Sequence, residues 1–243
     1  MYKLSDSELQ DIQRGLLKLL KVFKSICEEE NIWYSLAFGS VLGAVRHKGF
    51  IPWDSDADVY IKLSDNDKFR KAFYKCNPQG IVLNNYNEDK HNTKSHDTLR
   101  FESEQSFSDL HLDIYPLIGA PNDIRKHKRV AKMNSLLDRL FRSKYVNLND
   151  CLEENRKKVF FVKLIDKLIP DSIIKSNIKY RERKYDVNDT DYWTSLVSRY
   201  TIPKKCFDRL VMMRFEDTEF YVPGDWDLYL KTIYGDYMTP RKY

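Results

Sequence analysis

The chain has 243 residues, 42% of them hydrophobic and 14% aromatic, which is enough to bury a real core and too apolar for a disordered segment. Its formal charge of +5, from 41 basic and 36 acidic residues, favours anionic partners. Cys27, Cys76, Cys151 and Cys206 are solitary, with no C-x-x-C pair and no histidine at zinc-finger spacing. This pattern excludes a zinc module and a disulfide scaffold, and it suits reduced thiols in a cytoplasm.

The first segment reads as an amphipathic helix. Ile12, Leu16, Leu19, Phe23 and Ile26 recur at helical spacing, and Ser5 or Ser7 can cap it with Glu8 or Gln10 three residues on. Residues 1–11 are polar and do not read as a secretory leader, and no apolar run approaches a membrane span, so any membrane contact is expected to be peripheral. Residues 33–38 read as a strand that Gly39 and Ser40 close into a short helix, 41–46. A glycine and a serine opening a helix offer backbone N–H groups and a hydroxyl to a phosphate.

A basic loop, Arg46, His47 and Lys48, leads into Asp54, Asp56 and Asp58 at every second position, followed by the β-prone Val59, Tyr60 and Ile61. Side chains two apart in an extended chain share a face, so the three carboxylates crowd their charge together. A hard cation held by one or two carboxylates and substrate phosphate relieves such crowding. Asp56 and Asp58, placed at the start of a strand, are therefore candidate ligands for Mg²⁺, with Mn²⁺ as the alternative. Asp54 is an outer ligand or a substrate contact. Arg46, His47 and Lys48 are candidate phosphate contacts or an exposed basic loop, and Arg100, on a neighbouring strand, is a further phosphate candidate. An EF-hand is excluded, because Val59 and Asp65 stand where that loop needs glycine and glutamate.

Further along, Ser64 is placed to cap a helix at 65–74, which Asn77, Pro78 and Gly80 break before a strand at 81–83. The polar stretch 84–97 reads as a loop or hairpin. Strands at 98–101 and 110–115 place Asp113 beside the Asp56 and Asp58 strand, and a lone aspartate in an apolar strand calls for a cation. Residues 122–180 read as mainly helical, with Val130, Met133, Leu137, Leu140 and Phe141 marking one buried face. Arg125 to Arg129 form the strongest charge cluster, either a solvated helix end or a patch for an anionic glycan or a lipid headgroup, and no nucleic-acid motif accompanies it. A strand at 220–222 and a helix at 225–234 with Gly235 as its C-cap close the pattern. Phe50, Trp53, Trp193 and Trp226 are candidates to stack a base or surround a quaternary ammonium, each with a core position as the plainer explanation.

The stretch GSVLGAVRHKGFIPWDSDADVYI, residues 39–61, resembles the signature of the LicD family of phosphotransferases, to which fukutin and fukutin-related protein are similar. HLDIYPL, around Asp113, resembles the family's hydrophobic-Asp-Ile-aromatic-Pro element, and FEDTEFYVPGDWDLYLKTIYGDYMTP its closing segment. The resemblance thus runs from about residue 33 to 240, with no matching motif in 125–188. Family members often carry Asp-Asp-Asp-Ile-Asp where this chain has Asp54-Ser55-Asp56-Ala57-Asp58, which keeps the alternating carboxylates.

The resemblance implies an α+β, nucleotidyltransferase-like mixed sheet flanked by helices, with an appended helical lobe. A catalytic core at 1–120 is expected, followed by a mainly helical part at 121–243 whose last strand and helix complete the site. It further implies a metal on Asp56 and Asp58, and Asp113 as general base or third ligand, with Gly39 and Ser40 as N–H donors. The implied reaction moves a phospho-alcohol from a CDP-linked donor, typically CDP-choline, to a glycan or glycolipid hydroxyl at the cytoplasmic face. Lipopolysaccharide, capsule and teichoic acid are acceptor classes of this kind. CDP-ribitol or CDP-glycerol as donor, and transfer of a nucleotide to a small acceptor, are the alternatives.

Overall fold

The computed structural model describes residues 5–85, 94–102, 110–145, 160 and 169–239. Its elements in chain order are α1 (Asp6–Glu29), β1 (Tyr34–Leu36), α2 (Phe38–His47), β2 (Ala57–Lys62), α3 (Asn66–Cys76), β3 (Ile81–Asn84), β4 (Asp97–Phe101) and β5 (His111–Ala120). There follow α4 (His127–Tyr145), α5 (Asp171–Lys184), β6 (Tyr192–Thr194), β7 (Ile202–Pro203), β8 (Leu210–Phe215), β9 (Thr218–Pro223) and α6 (Trp226–Tyr234). The fold is of mixed α and β class, with a mixed sheet and flanking helices. The chain forms two compact units, one of Met1–Leu83, Thr98–Pro116 and Ile202–Tyr243, the other of Asn84–Asp97 and Leu117–Thr201.

In the first unit, α1 is capped by a closed box. Ser5 Oγ accepts from the Glu8 N–H at 3.3 Å, and the Glu8 carboxylate accepts from the Ser5 N–H at 2.8 Å. Its face of Ile12, Leu16, Leu19, Phe23 and Ile26 is buried, as the spacing predicts. The strands run in the order β1-β2-β5-β4-β3, which sets the Asp113 strand next to the acidic one. β1 is antiparallel to β2, with Leu36 opposite Val59 and Tyr34 opposite Ile61.

The first helix of the motif begins earlier than its sequence suggests, at Phe38 rather than residue 41, so Gly39 and Ser40 lie inside its first turn. The cause is a sharp backbone reversal at Phe38, whose φ of 40° is unfavourable for a bulky residue. Two contacts hold it there. The Phe38 N–H donates to Tyr229 Oη at 2.8 Å, and its ring packs edge-on to Tyr60 and Tyr115 at 5.3 and 5.4 Å. Asp56 immediately precedes β2, which begins at Ala57, and so lies in the preceding loop, where it is exposed. Ser64 does not cap α3. It lies in a 3-10 turn, Leu63–Asp65, through which the chain leaves β2, and Asp65 takes the N-cap position.

The loop 48–54 is held from two directions. At the tip of the β8–β9 hairpin, Glu216 sits at φ 56°, its N–H donates to Lys48 O at 2.8 Å, and its carboxylate accepts from the Phe50 N–H at 2.9 Å. Gly49 lies so close to that carboxylate that any side chain there would collide with it. From α1, the Gln13 carboxamide donates to Ile51 O and Asp54 O at 3.2 and 2.9 Å. Strand β8 was not anticipated, although LVMMRF and TEFYVP separated by Glu216-Asp217 are two β-prone runs with a tight turn between them.

The second unit holds α4 and α5, and the end of β5 pairs antiparallel with β6, Gly119 opposite Trp193. Val130, Leu137 and Phe141 are buried as expected, whereas Met133 is 41% exposed and Leu140 half-buried. The buried stripe is centred through Asn134, which is fully buried and donates to Ser195 O at 3.0 Å, so Met133 is turned off it by one helical step. Trp193 is core, its indole N–H bonded to Val187 O at 2.8 Å. Cys27 and Cys206 are buried free thiols and Cys76 an exposed one. Burial pushes the Cys27 thiol well up and that of Cys206 up to about 12, so both stay protonated. Cys151 and residues 86–93, within the stretch whose sequence reads as a loop or hairpin, lie outside the described residues.

Candidate active site

A cleft of about 460 Å³ opens in the first unit, between the start of α2, the acidic loop and the segment after α6. Gly39, Arg46, Asp54 and Asp56 line it, and so does Trp53, 40% exposed. From the far end of the sequence come Tyr234, Asp236, Tyr237 and Thr239. Gly39 leaves little room, since a Cβ there would sit 3.0 Å from Asp54 Oδ2 and press on that carboxylate. Arg46 is aimed by its neighbours, Nε donating to His47 Nε2 at 2.9 Å and a terminal nitrogen to Tyr237 O at 2.6 Å. Burial, then the Arg46 charge, depress the His47 imidazole, so it accepts this bond as the neutral ring. Tyr237 is fixed by a 2.6 Å bond from its hydroxyl to Asp227, itself paired with Lys231.

Beside the cleft, the carboxylates are tied together through backbone and strand register. Ser40 Oγ accepts from the Asp58 N–H at 3.0 Å, joining α2 to β2, and the Ser40 N–H is used by Ala37 O at 2.9 Å. Asp113, 8% exposed on β5, accepts from Tyr115 Oη at 3.1 Å and lies 3.3 Å from His111 Nε2. Burial, followed by the negative charges of Asp58 and Asp113, a hydrogen bond to Asp113 and the charge of Asp56, pushes the Tyr115 phenol far up. It remains a donor, placed among all three carboxylates.

Of the residues singled out from sequence, Gly39, Arg46, Trp53, Asp54 and Asp56 share the cleft, while Ser40 on α2, Asp58 on β2 and Asp113 on β5 are not part of its lining. Lys48 is exposed at the left-handed end of α2, its ammonium 3.4 Å from Val45 O, and Arg100 donates to Phe101 O at 3.3 Å on β4. Phe50 is core against Phe215, at 4.8 Å between rings. His111, Tyr115, Tyr234 and Tyr237 were not singled out. His111, Asp113 and Tyr115 alternate along one strand and so share a face, a signal that was present in HLDIYPL.

Among the described residues no three His, Cys, Asp or Glu side chains are gathered into a ready-made metal cage. An all-oxygen donor set with crowded charge nonetheless fits Mg²⁺, which keeps waters and substrate phosphate oxygens in its shell. The crowding is visible at Asp54. Burial, then the Asp56 charge, hold its carboxyl up at about 6, against backbone N–H bonds from Asp56 and Ser55 that pull it down.

Asp54 thus has a folded pKa above the unfolded value of about 3.9, so between these values the folded state binds the extra proton. Stability falls as pH rises through that window, and the full penalty stands above about 6. Asp54→Asn cannot charge, and in chelator it is expected to melt above wild type at mildly alkaline pH, with the gap closing toward about pH 4. Melts across pH measure this, and coincident curves above the folded pKa would show that the charge is not crowded.

Residues 31–147 match the family model described as LicD/FKTN/FKRP, nucleotidyltransferase domain. The chain is 28% identical to the lipopolysaccharide cholinephosphotransferase LicD of Haemophilus influenzae, over 95% of this chain and 91% of that protein. Shorter similarities link it to an uncharacterised protein of Rickettsia typhi, 39% identical over 24% of this chain and 18% of the other, and to one of Rickettsia prowazekii, 42% identical over 21% and 19%.

Proposed function

The chain belongs to the LicD family of phosphotransferases, and from this we propose that it moves phosphocholine from CDP-choline to a hydroxyl of a cell-surface glycan or its glycolipid precursor. Lipopolysaccharide, the substrate named for the Haemophilus relative, is the leading acceptor. The observation that carries the donor is the cleft itself, where Trp53, Tyr234 and Tyr237 stand within the same walls as Asp54, Asp56 and Asp236. A quaternary ammonium has no N–H to donate and is held by aromatic faces and nearby negative charge. Arg46, at the same cleft, suits the diphosphate.

In the proposed step the acceptor hydroxyl attacks the phosphorus that bears choline. The bond from that phosphorus to the bridging oxygen breaks, its electron pair leaves with CMP, and the hydroxyl proton passes to Asp113. The Tyr115 hydroxyl and His111 orient that carboxylate. Asp56 and Asp58 would hold Mg²⁺, or Mn²⁺, with Asp113 as a further ligand in the alternative assignment. When bound, the ion supplies Lewis-acid neutralisation of charge on the diphosphate oxygens. Use of a CDP-linked donor places the reaction on the cytoplasmic side.

Donor choice is tested by following CMP release and product mass with CDP-choline, CDP-ethanolamine, CDP-ribitol and CDP-glycerol, Mg²⁺ and a lipopolysaccharide acceptor. CDP-choline is expected to lead the polyol donors by roughly tenfold or more in kcat/KM. Preference for a polyol would overturn the choline assignment and leave phosphotransfer standing. Appearance of nucleotide on the acceptor would replace both with nucleotidyl transfer.

A further inference from the structure

The stretch from Ile124 to Tyr145, a 3-10 turn followed by α4, carries eight Lys and Arg against the single acid Asp138. This surplus of seven exceeds the +5 of the whole chain, so the remaining residues sum to a net −2. Charge this concentrated on one helix marks an electropositive face, not a generally basic protein.

Apolar groups lie along the same face. Met133 and Leu136 on α4 are 41% and 44% exposed, and Ile124, in the turn before the helix, is 63% exposed. Along α4, Arg129, Lys132, Met133, Leu136 and Arg139 fall at i, i+3, i+4, i+7 and i+10, one continuous stripe beside the buried row of Val130, Asn134, Leu137 and Phe141. Lys128, Arg129, Lys132 and Arg139 are exposed around it. Among the described residues, Asp123 engages Arg125 and Lys126, and Asp138 accepts from Ser95 at 2.7 Å and lies 3.8 Å from Arg142.

We propose that α4 lies on an anionic lipid surface, with Met133 and Leu136 entering the headgroup boundary and Lys128, Arg129, Lys132 and Arg139 meeting lipid phosphates. Exposed apolar side chains bordered by cations are the pattern of an interfacial helix, and a soluble anionic glycan would engage the cations while leaving Met133 and Leu136 in water. Among the described residues no helix is long and apolar enough to cross a membrane, which accords with a helix lying in the surface plane. This docking is independent of the reaction assigned above and is read without turnover.

The test is co-sedimentation of the full chain with vesicles of phosphatidylcholine alone or mixed equally with phosphatidylglycerol, at low and high salt. Binding is expected to the mixed vesicles, roughly tenfold or more tighter than to neutral ones, and weakened by salt. Lys128→Glu with Lys132→Glu is expected to abolish it. Met133→Gln with Leu136→Gln, which alters only exposed side chains, is expected to weaken it roughly tenfold without changing the melt. Equal binding of the glutamine pair, or absence of binding to mixed vesicles, would overturn the proposal. So would soluble polyphosphate or anionic polysaccharide binding that matches the vesicles and ignores the glutamine pair; that result would assign the face to a polyanion.

Discussion

Asp58→Asn is expected to reduce turnover to background, a loss on the order of 10³-fold or more, while the melting temperature stays within a degree or two of wild type. The two outcomes are expected to separate because the Asp58 backbone ties β2 to the start of α2, its N–H donating to Ser40 and its carbonyl accepting from Ala37. The substitution leaves both backbone bonds in place and exchanges a charged carboxylate for a neutral amide of the same size. Asp56→Asn, in the exposed loop before β2, is expected to lose turnover likewise and, by removing a charge that presses on Asp54, to melt no lower than wild type. CMP release and circular dichroism melts on the same preparations decide the matter, and normal turnover in either variant would remove the proposed metal ligand.

Asp113 carries the second large effect. As the base, Asp113→Asn is expected to slow the chemical step on the order of 10³-fold while CDP-choline still binds in the presence of Mg²⁺, because loss of a proton acceptor is felt only in the transition state. As a metal ligand, the same change is expected to weaken donor binding as well. Calorimetry on the variant separates the two. Tyr115→Phe removes the donor 3.1 Å from Asp113 Oδ2 and is expected to lower kcat roughly 10- to 100-fold with little change in KM. An unchanged kcat would reduce Tyr115 to a packing residue.

Much of this site was legible in the chain because its parts are local. The period-two aspartates, the Gly-Ser pair and the lone Asp113 in an apolar strand each declare themselves within a few residues, and α1 with its capping box follows from spacing alone. The start of α2 was misplaced because the turn that begins it depends on a strained Phe38 held by Tyr229, a partner 191 positions away. Propensity carries no trace of that bond. The cleft wall at Tyr234 and Tyr237 was hidden for the same reason, since nothing local distinguishes a ring facing a substrate from one facing the core. Met133 was assigned to the interior because apolar spacing around α4 was read as one stripe, when Asn134, buried and bonded to a carbonyl, occupies the middle of the true one.

The clamp on loop 48–54 bears on the order in which the protein becomes competent. Gln13, on one side of it, leaves the ribosome long before Glu216, on the other, and Tyr229 and Tyr237 emerge later still. While the chain is being made, the acidic loop has one of its two anchors, and the reversal at Phe38 lacks the hydroxyl that secures it. A nascent chain stalled near residue 200 would therefore carry every aspartate of the motif without the cleft. At about 5–20 residues per second, Glu216 follows Gln13 by roughly 10–40 s, and the acidic loop waits that long for its second anchor.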